Sequence, residues 1–152
     1  MSNLYLTIAL NIPLEFDFAI LLYISKRGHE IMSSILELTD SNYTSFMEET
    51  DSVVFIDFYS DTCPPCQTLL TYLPNLAEHY RDKKVVITKV NAAHNPKLSN
   101  KFMVKSVPLT VVIGKDKMVK RAEVGLLAID GYFKMIDKEI GNGKGFFSKL
   151  FS

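Results

Sequence analysis

Val53-Val54-Phe55-Ile56-Asp57-Phe58-Tyr59-Ser60-Asp61-Thr62-Cys63-Pro64-Pro65-Cys66 is the stretch on which the reading of this chain turns. Its first seven residues are apolar except Asp57, the pattern of a central strand buried on both faces. Asp61, Thr62 or Cys63 can then start a helix. Pro64 is tolerated in the first turn, where the N–H it lacks would have no intrahelical partner. A Cys-x-x-Cys pair therefore stands between a buried strand and a helix start. Free amide N–H groups and the helix dipole favour a thiolate at such a place. Cys63 is expected to be exposed there with a depressed pKa. Cys66, one turn further on nearly the same side, can attack a mixed disulfide formed at Cys63 and release a reduced substrate. Pro64 and Pro65 stiffen the turn and take away two N–H donors.

Working outward, strand and helix patterns alternate. Ile35-Leu36-Glu37-Leu38 is a short strand. Thr39 or Asp40 can N-cap a helix through about Glu49, with Tyr43, Phe46 and Met47 on one face. Beyond the cysteines, Leu69, Leu70, Leu73, Leu76, Ala77 and Tyr80 recur at helical spacing, and Pro74 is expected to kink that helix. Val85–Val90 reads as a strand and Pro96–Phe102 as a short helix. Leu109–Ile113 and Met118–Val124 flank Gly114-Lys115-Asp116-Lys117, the spacing of an antiparallel hairpin. Ile129, Phe133, Ile136 and Ile140 line a final helix. The order β-α-β-α-β-α-β-β-α predicts an α/β sandwich around a mixed sheet.

Composition removes several classes of function. The 152 residues are 47% apolar and 22% charged, a balance that excludes disorder as a description of the whole chain. Lys plus Arg and Asp plus Glu both number 17, so the chain lacks the basic excess of a general nucleic-acid binder. Its two cysteines cannot build a disulfide-dense scaffold or a four-cysteine zinc site. His29, His79 and His94 lack ligand spacing, so no metal is expected. Haem attachment fails because Gln67, not His, follows Cys66. An inert buried pair stays open as the plain alternative.

With these features in place, the sequence resembles the thioredoxin family from roughly Ser34 to Gly141. Asp57–Cys66 looks like the family's Asp-Phe-Trp-Ala-x-Trp-Cys-Gly-Pro-Cys segment. Pro74 matches its helix-kinking proline, and Lys89-Val90-Asn91 resembles the strand that carries its lysine. Val107-Pro108-Leu109-Thr110 looks like its Ile-Pro-Thr segment, and Val124-Gly125 falls where the family has a glycine beside the substrate groove. The departures are Tyr59 and Thr62 at the tryptophan positions, Pro64 at a glycine, and Ala93 where many members are acidic.

The resemblance implies a thioredoxin-like three-layer α/β/α sandwich. It also implies a thiol–disulfide oxidoreductase acting on protein disulfides. Asp57, a carboxylate in an otherwise apolar strand, should have its pKa raised by burial and can serve as proton acceptor for Cys66. Lys89 would modulate it. Pro108 is expected to be cis and to abut Cys63, with the backbone of Val107 pairing with an extended substrate segment. Thr62, Pro64, Pro65, Val107, Pro108 and Gly125 make up the expected substrate-binding surface. The dithiol itself carries two electrons, so no cofactor is expected.

Residues 1–31 read as an N-terminal extension, residues 32–140 as the thioredoxin-like domain, and residues 141–152 as a Gly-rich linker with a short amphipathic tail. No Lys or Arg precedes Lys26, and no small-x-small cleavage site follows, so a secretory signal is not read. Neither apolar half of the extension reaches the length of a membrane span. Lys26-Arg27-Gly28 can be encoded by a purine-rich run shortly upstream of Met32, so translation is expected to start at Met32. The tail clusters Phe146, Phe147, Leu150 and Phe151 beside Lys144 and Lys149, a pattern suited to a membrane surface or a docking partner. It is too short to bind strongly alone, so a frayed or locally packed tail is expected and membrane contact is not. The expectation is a monomeric cytoplasmic reductase serving electron transport and cell redox homeostasis. It would be recycled by a thioredoxin-reductase-type electron donor and would bind no nucleic acid. The alternatives are a membrane-tethered extracytoplasmic thiol reductase and a weakly active binding or chaperone module.

Overall fold

Val53–Tyr59 is buried at every position and forms the middle strand of a five-stranded sheet. In the computed structural model, which describes residues 35–141, the elements follow the expected order. They are β1 (Leu36–Glu37), α1 (Tyr43–Glu49), β2 (Val53–Tyr59), α2 (Pro64–His79), β3 (Val85–Asn91), α3 (Pro96–Lys101), β4 (Leu109–Ile113), β5 (Val119–Val124) and α4 (Ile129–Gly141). The sheet order is β1-β3-β2-β4-β5. β3 pairs in parallel with β1 and β2, whereas β4 runs antiparallel to both β2 and β5. The sheet is therefore mixed, with the antiparallel pairs at one side.

The side-chain period of two sorts β2 between two cores. Val54, Ile56 and Phe58 join Met47 of α1 and Leu98 of α3 on one face. Val53 and Phe55 join Leu69, Leu73 and Leu76 of α2 and Tyr132 and Ile136 of α4 on the other. A strand covered on both faces has no polar side, which is why β2 reads as an unbroken apolar run. Asp57 falls in step with Val53 and Phe55 and so belongs to the α2/α4 face.

One helix cap differs from expectation. Neither Thr39 nor Asp40 caps α1, which begins only at Tyr43. Thr39 and Asn42 instead bond each other reciprocally: the Thr39 amide donates to Asn42 Oδ1 at 2.7 Å and the Asn42 amide to Thr39 Oγ1 at 3.3 Å. The Asp40 carboxylate crosses to α3, accepting from the amides of Leu98 at 2.8 Å and Lys97 at 3.1 Å. The cap of α3 thus comes from a residue more than fifty positions upstream, a relation that local spacing cannot display. Asp40→Ala is expected to cost about 1 kcal/mol, as loss of a helix cap does, in urea unfolding.

Pro74 lies inside α2, which continues beyond it to His79. Among the described residues no helix is long and apolar enough to cross a membrane. The extension 1–31, the start at Met32 and the tail beyond Gly141 lie outside the described residues.

Candidate active site

β2 ends at Tyr59 and α2 begins at Pro64, so the connecting loop brings the cysteines to the carboxyl end of the middle strand. Three contacts fix that loop. The amide of Ala92 donates to the Tyr59 carbonyl at 2.8 Å, the Asn91 amide group donates to Asp61 Oδ2 at 3.0 Å, and Gln67 Nε2 reaches the Ser60 carbonyl at 3.4 Å. Cys63 is the N-cap of α2, which settles the choice among Asp61, Thr62 and Cys63 as its start. Cys63 and Cys66 form a disulfide with Sγ–Sγ 2.12 Å. Cys63 is half-buried rather than fully exposed, because it also lies against the Val107 loop. Cys66 is completely buried on the stripe of α2 that carries Leu69 and Leu73, facing the sheet.

The two prolines shape the electrostatics of the turn. Pro64 and Pro65 occupy the first two helical positions. The first amide N–H of α2 is therefore that of Cys66, and it donates to Cys63 Sγ at 3.3 Å. A helix N-terminus normally offers several free N–H groups to an anion; here one remains close at hand and is aimed at the sulfur.

Val107-Pro108 is a cis peptide, and the Val107 carbonyl oxygen lies 3.7 Å from Cys63 Sγ. Pro108 is buried and leads directly into β4. Gly125 lies beside it: its amide donates to the Pro108 carbonyl at 2.8 Å. Gly125 has φ +92°, a conformation that side-chain-bearing residues rarely adopt. Thr62, Pro64 and Pro65 are exposed on the rim of the same loop. The surface expected from separated motifs is thus assembled around Cys63.

Asp57 is the one charged side chain with no solvent exposure among the described residues. Neither of its carboxylate oxygens has a hydrogen-bond partner. Burial pushes its pKa up to about 7, against the smaller opposing pull of Lys89. Lys89 is its cross-strand partner in the β2–β3 register. The Lys89 ammonium, however, forms its ion pair with Glu37, at 3.5 Å. Glu37 was not expected at the site. Leu36–Glu37 is only two residues long, and nothing in its local pattern reveals that it pairs with β3. Among the described residues, no group of three or more His, Cys, Asp or Glu is arranged to hold a metal ion.

A disulfide at a helix start, beside a cis-proline loop and following a strand that carries a buried carboxylate, defines a protein of the dithiol–disulfide exchange class. The family model described as Thioredoxin matches residues 34–137. The thioredoxin of Chlorobaculum thiosulfatiphilum is 32% identical over 105 residues, which span 69% of this chain and 95% of that relative. The thioredoxin of Rickettsia prowazekii is 29% identical over 103 residues, or 68% of this chain and 96% of its own length. Among solved structures, oxidised mitochondrial thioredoxin 3 from Saccharomyces cerevisiae superposes with a TM-score of 0.62 at 25% identity, covering 71% of this chain and 98% of that one. The chain belongs to the thioredoxin family and is a protein thiol–disulfide oxidoreductase.

Proposed function

We propose that this protein is a disulfide reductase in which Cys63 attacks, Cys66 resolves and Asp57 carries the proton. In the reduced form the Cys63 thiolate attacks one sulfur of a substrate disulfide, forming a mixed disulfide and expelling the other sulfur as a thiolate. Asp57 as carboxylate takes the proton of the buried Cys66 thiol. The resulting thiolate attacks Cys63 Sγ, the mixed bond breaks, and the second substrate sulfur leaves as a thiolate. Two electrons have passed to the substrate, and the enzyme is left with the Cys63–Cys66 disulfide. The dithiol carries both electrons, so the chemistry asks for no further redox group.

A carboxyl titrating near neutrality suits this task, since it accepts a proton at working pH and can return one. The exposed rim of Thr62, Pro64 and Pro65, with Val107, Pro108 and Gly125, would receive an extended segment of the substrate protein. Val107 would supply backbone hydrogen bonds, in the manner of strand addition. Threonine at position 62 leaves this rim less aromatic than the family pattern. We propose the cytoplasm as the compartment, with a dedicated reductase returning electrons to the disulfide.

The observation that carries this reading is that the half-buried Cys63 and the buried Cys66 follow directly on β2, the strand that holds the unpartnered Asp57. Equilibration of the Cys63–Cys66 pair in glutathione buffers tests its direction. A reductant is expected near the thioredoxin range of about −270 mV, and a value near about −120 mV, typical of a dedicated oxidant, would overturn it.

A further inference from the structure

β1, β3 and β2 lie side by side in parallel, and their registers align three charges in one row. Glu37 pairs with Lys89, and Lys89 pairs with Asp57. Residues paired across neighbouring strands project to the same face. Lys89 therefore stands between two carboxylates on the face that α2 covers. The two contacts are not equal. The ammonium is 3.5 Å from Glu37 Oε2, whereas both oxygens of Asp57 lack a partner. Tyr59, two positions beyond Asp57 on the same side of β2, completes the arrangement. Its hydroxyl donates to Glu37 Oε1 at 3.3 Å, and the Lys89 ammonium lies 5.4 Å from its ring centroid. Each oxygen of Glu37 is thus engaged, one by a phenol and the other by an ammonium.

We propose that Glu37 is a positioning residue for the proton-transfer step: with Tyr59 it holds the Lys89 ammonium at the β1 side of the row and keeps it off Asp57. This rests on the reading of Asp57 as the proton carrier. The Glu37 and Lys89 side chains are 43% and 27% exposed, so solvent screens their attraction, and the pair contributes little to stability. Its effect is to decide where a flexible cation sits. A Lys89 released from Glu37 has one unpartnered carboxylate within its row, and an ammonium drawn toward it favours the ionised form. Asp57 would then be a weaker base toward the Cys66 thiol at neutral pH.

The remaining groups around Asp57 do not duplicate this control. Tyr132 of α4 faces it with a phenol oxygen that accepts the Leu127 amide at 2.8 Å. Tyr72 of α2 and Glu123 of β5 also act on Tyr132. Glu123 occupies the far end of the same row, through Thr110 of β4. All three are untouched by substitutions at Glu37 and Lys89.

The test is a carbon-detected NMR titration of the Asp57 carboxyl in the full-length oxidised protein, for wild type, Glu37→Gln, Lys89→Met and the double variant. Glu37→Gln is expected to lower the Asp57 midpoint by roughly half a pH unit, and Lys89→Met to raise it. The double variant is expected to match Lys89→Met alone, because Glu37 acts through the lysine. Tyr59→Phe should shift the midpoint in the same direction as Glu37→Gln, by less. An unchanged midpoint in Glu37→Gln overturns the inference. So does a shift of equal size in the Lys89→Met background, since Glu37 would then act by its own field. The pH profile of disulfide reduction separates this from the underlying reading. If Asp57→Asn leaves that profile intact, Asp57 is not the proton carrier. If Asp57→Asn removes its acidic limb and Glu37→Gln leaves the limb in place, only the role of Glu37 fails.

Discussion

Cys63→Ser is expected to lower insulin-disulfide reduction by about 10³-fold or more, to the rate of the dithiothreitol that drives the assay. Cys63 is the only one of the two sulfurs that a substrate can reach, because Cys66 has no exposed surface. A serine hydroxyl in its place is not ionised at neutral pH and cannot attack a disulfide. Cys66→Ser should reduce turnover as severely but leave a different trace. The first attack still proceeds, so substrate accumulates on Cys63 as a mixed disulfide that dithiothreitol releases. Mass spectrometry of the Cys66→Ser protein incubated with insulin checks this directly. Reduction by Cys63→Ser at the wild-type rate would remove Cys63 from the mechanism. Absence of the adduct in Cys66→Ser would remove the relay.

Asp57→Asn should stabilise the oxidised protein at pH 8 and do so far less at pH 4. The carboxyl titrates near 3.8 when unfolded and at about 7 when folded, because burial disfavours its charge. Between these values the native state holds the proton and the unfolded state does not. Stability must then fall as pH rises through this window and level off above it. Below the unfolded value both states are protonated, and the group contributes its full share. A shift of about three units corresponds to roughly 4 kcal/mol at pH 8, an upper bound on what asparagine can recover. Urea midpoints at the two pH values measure the difference. A wild-type protein whose advantage over Asp57→Asn grows with pH would contradict a raised Asp57 pKa. Stability recovered at the expense of turnover is the ordinary signature of a buried charge kept for chemistry.

The element order was legible because each face of the sheet leaves a separate trace in the chain. Val53–Tyr59 is apolar throughout because helices cover both sides of it, and Leu69, Leu73 and Leu76 mark the face of α2 that does so. The cysteine pair was legible from three neighbours: a buried strand before it, prolines inside the helix start, and only two residues between the sulfurs. Asp57 stood out because a carboxylate in such a strand has no solvent to face.

What failed to show involved partners far apart in the chain. Asp40 sits where a cap for α1 would sit, yet its carboxylate serves α3, because the turn after β1 lies against the loop before Pro96. Lys89 was expected to attend Asp57, and the register does place it opposite. The competing pull of Glu37 came from a two-residue strand whose pairing depends on the whole sheet. Cys63 was expected to be exposed and is half-buried, since the Val107-Pro108 turn closes over it from 44 residues away.

The sequence by itself determined the fold class, the place of the cysteine pair at a helix start and the burial of the Asp57 carboxylate. All of these rest on local spacing and on apolar periodicity, which a linear chain displays. Only the tertiary structure decided which charge neighbours which. Ion pairs and caps need side chains within a few ångströms of each other, and those distances are set by strand register and helix docking. That is why Lys89 could be named from the sequence and its actual partner, Glu37, could not.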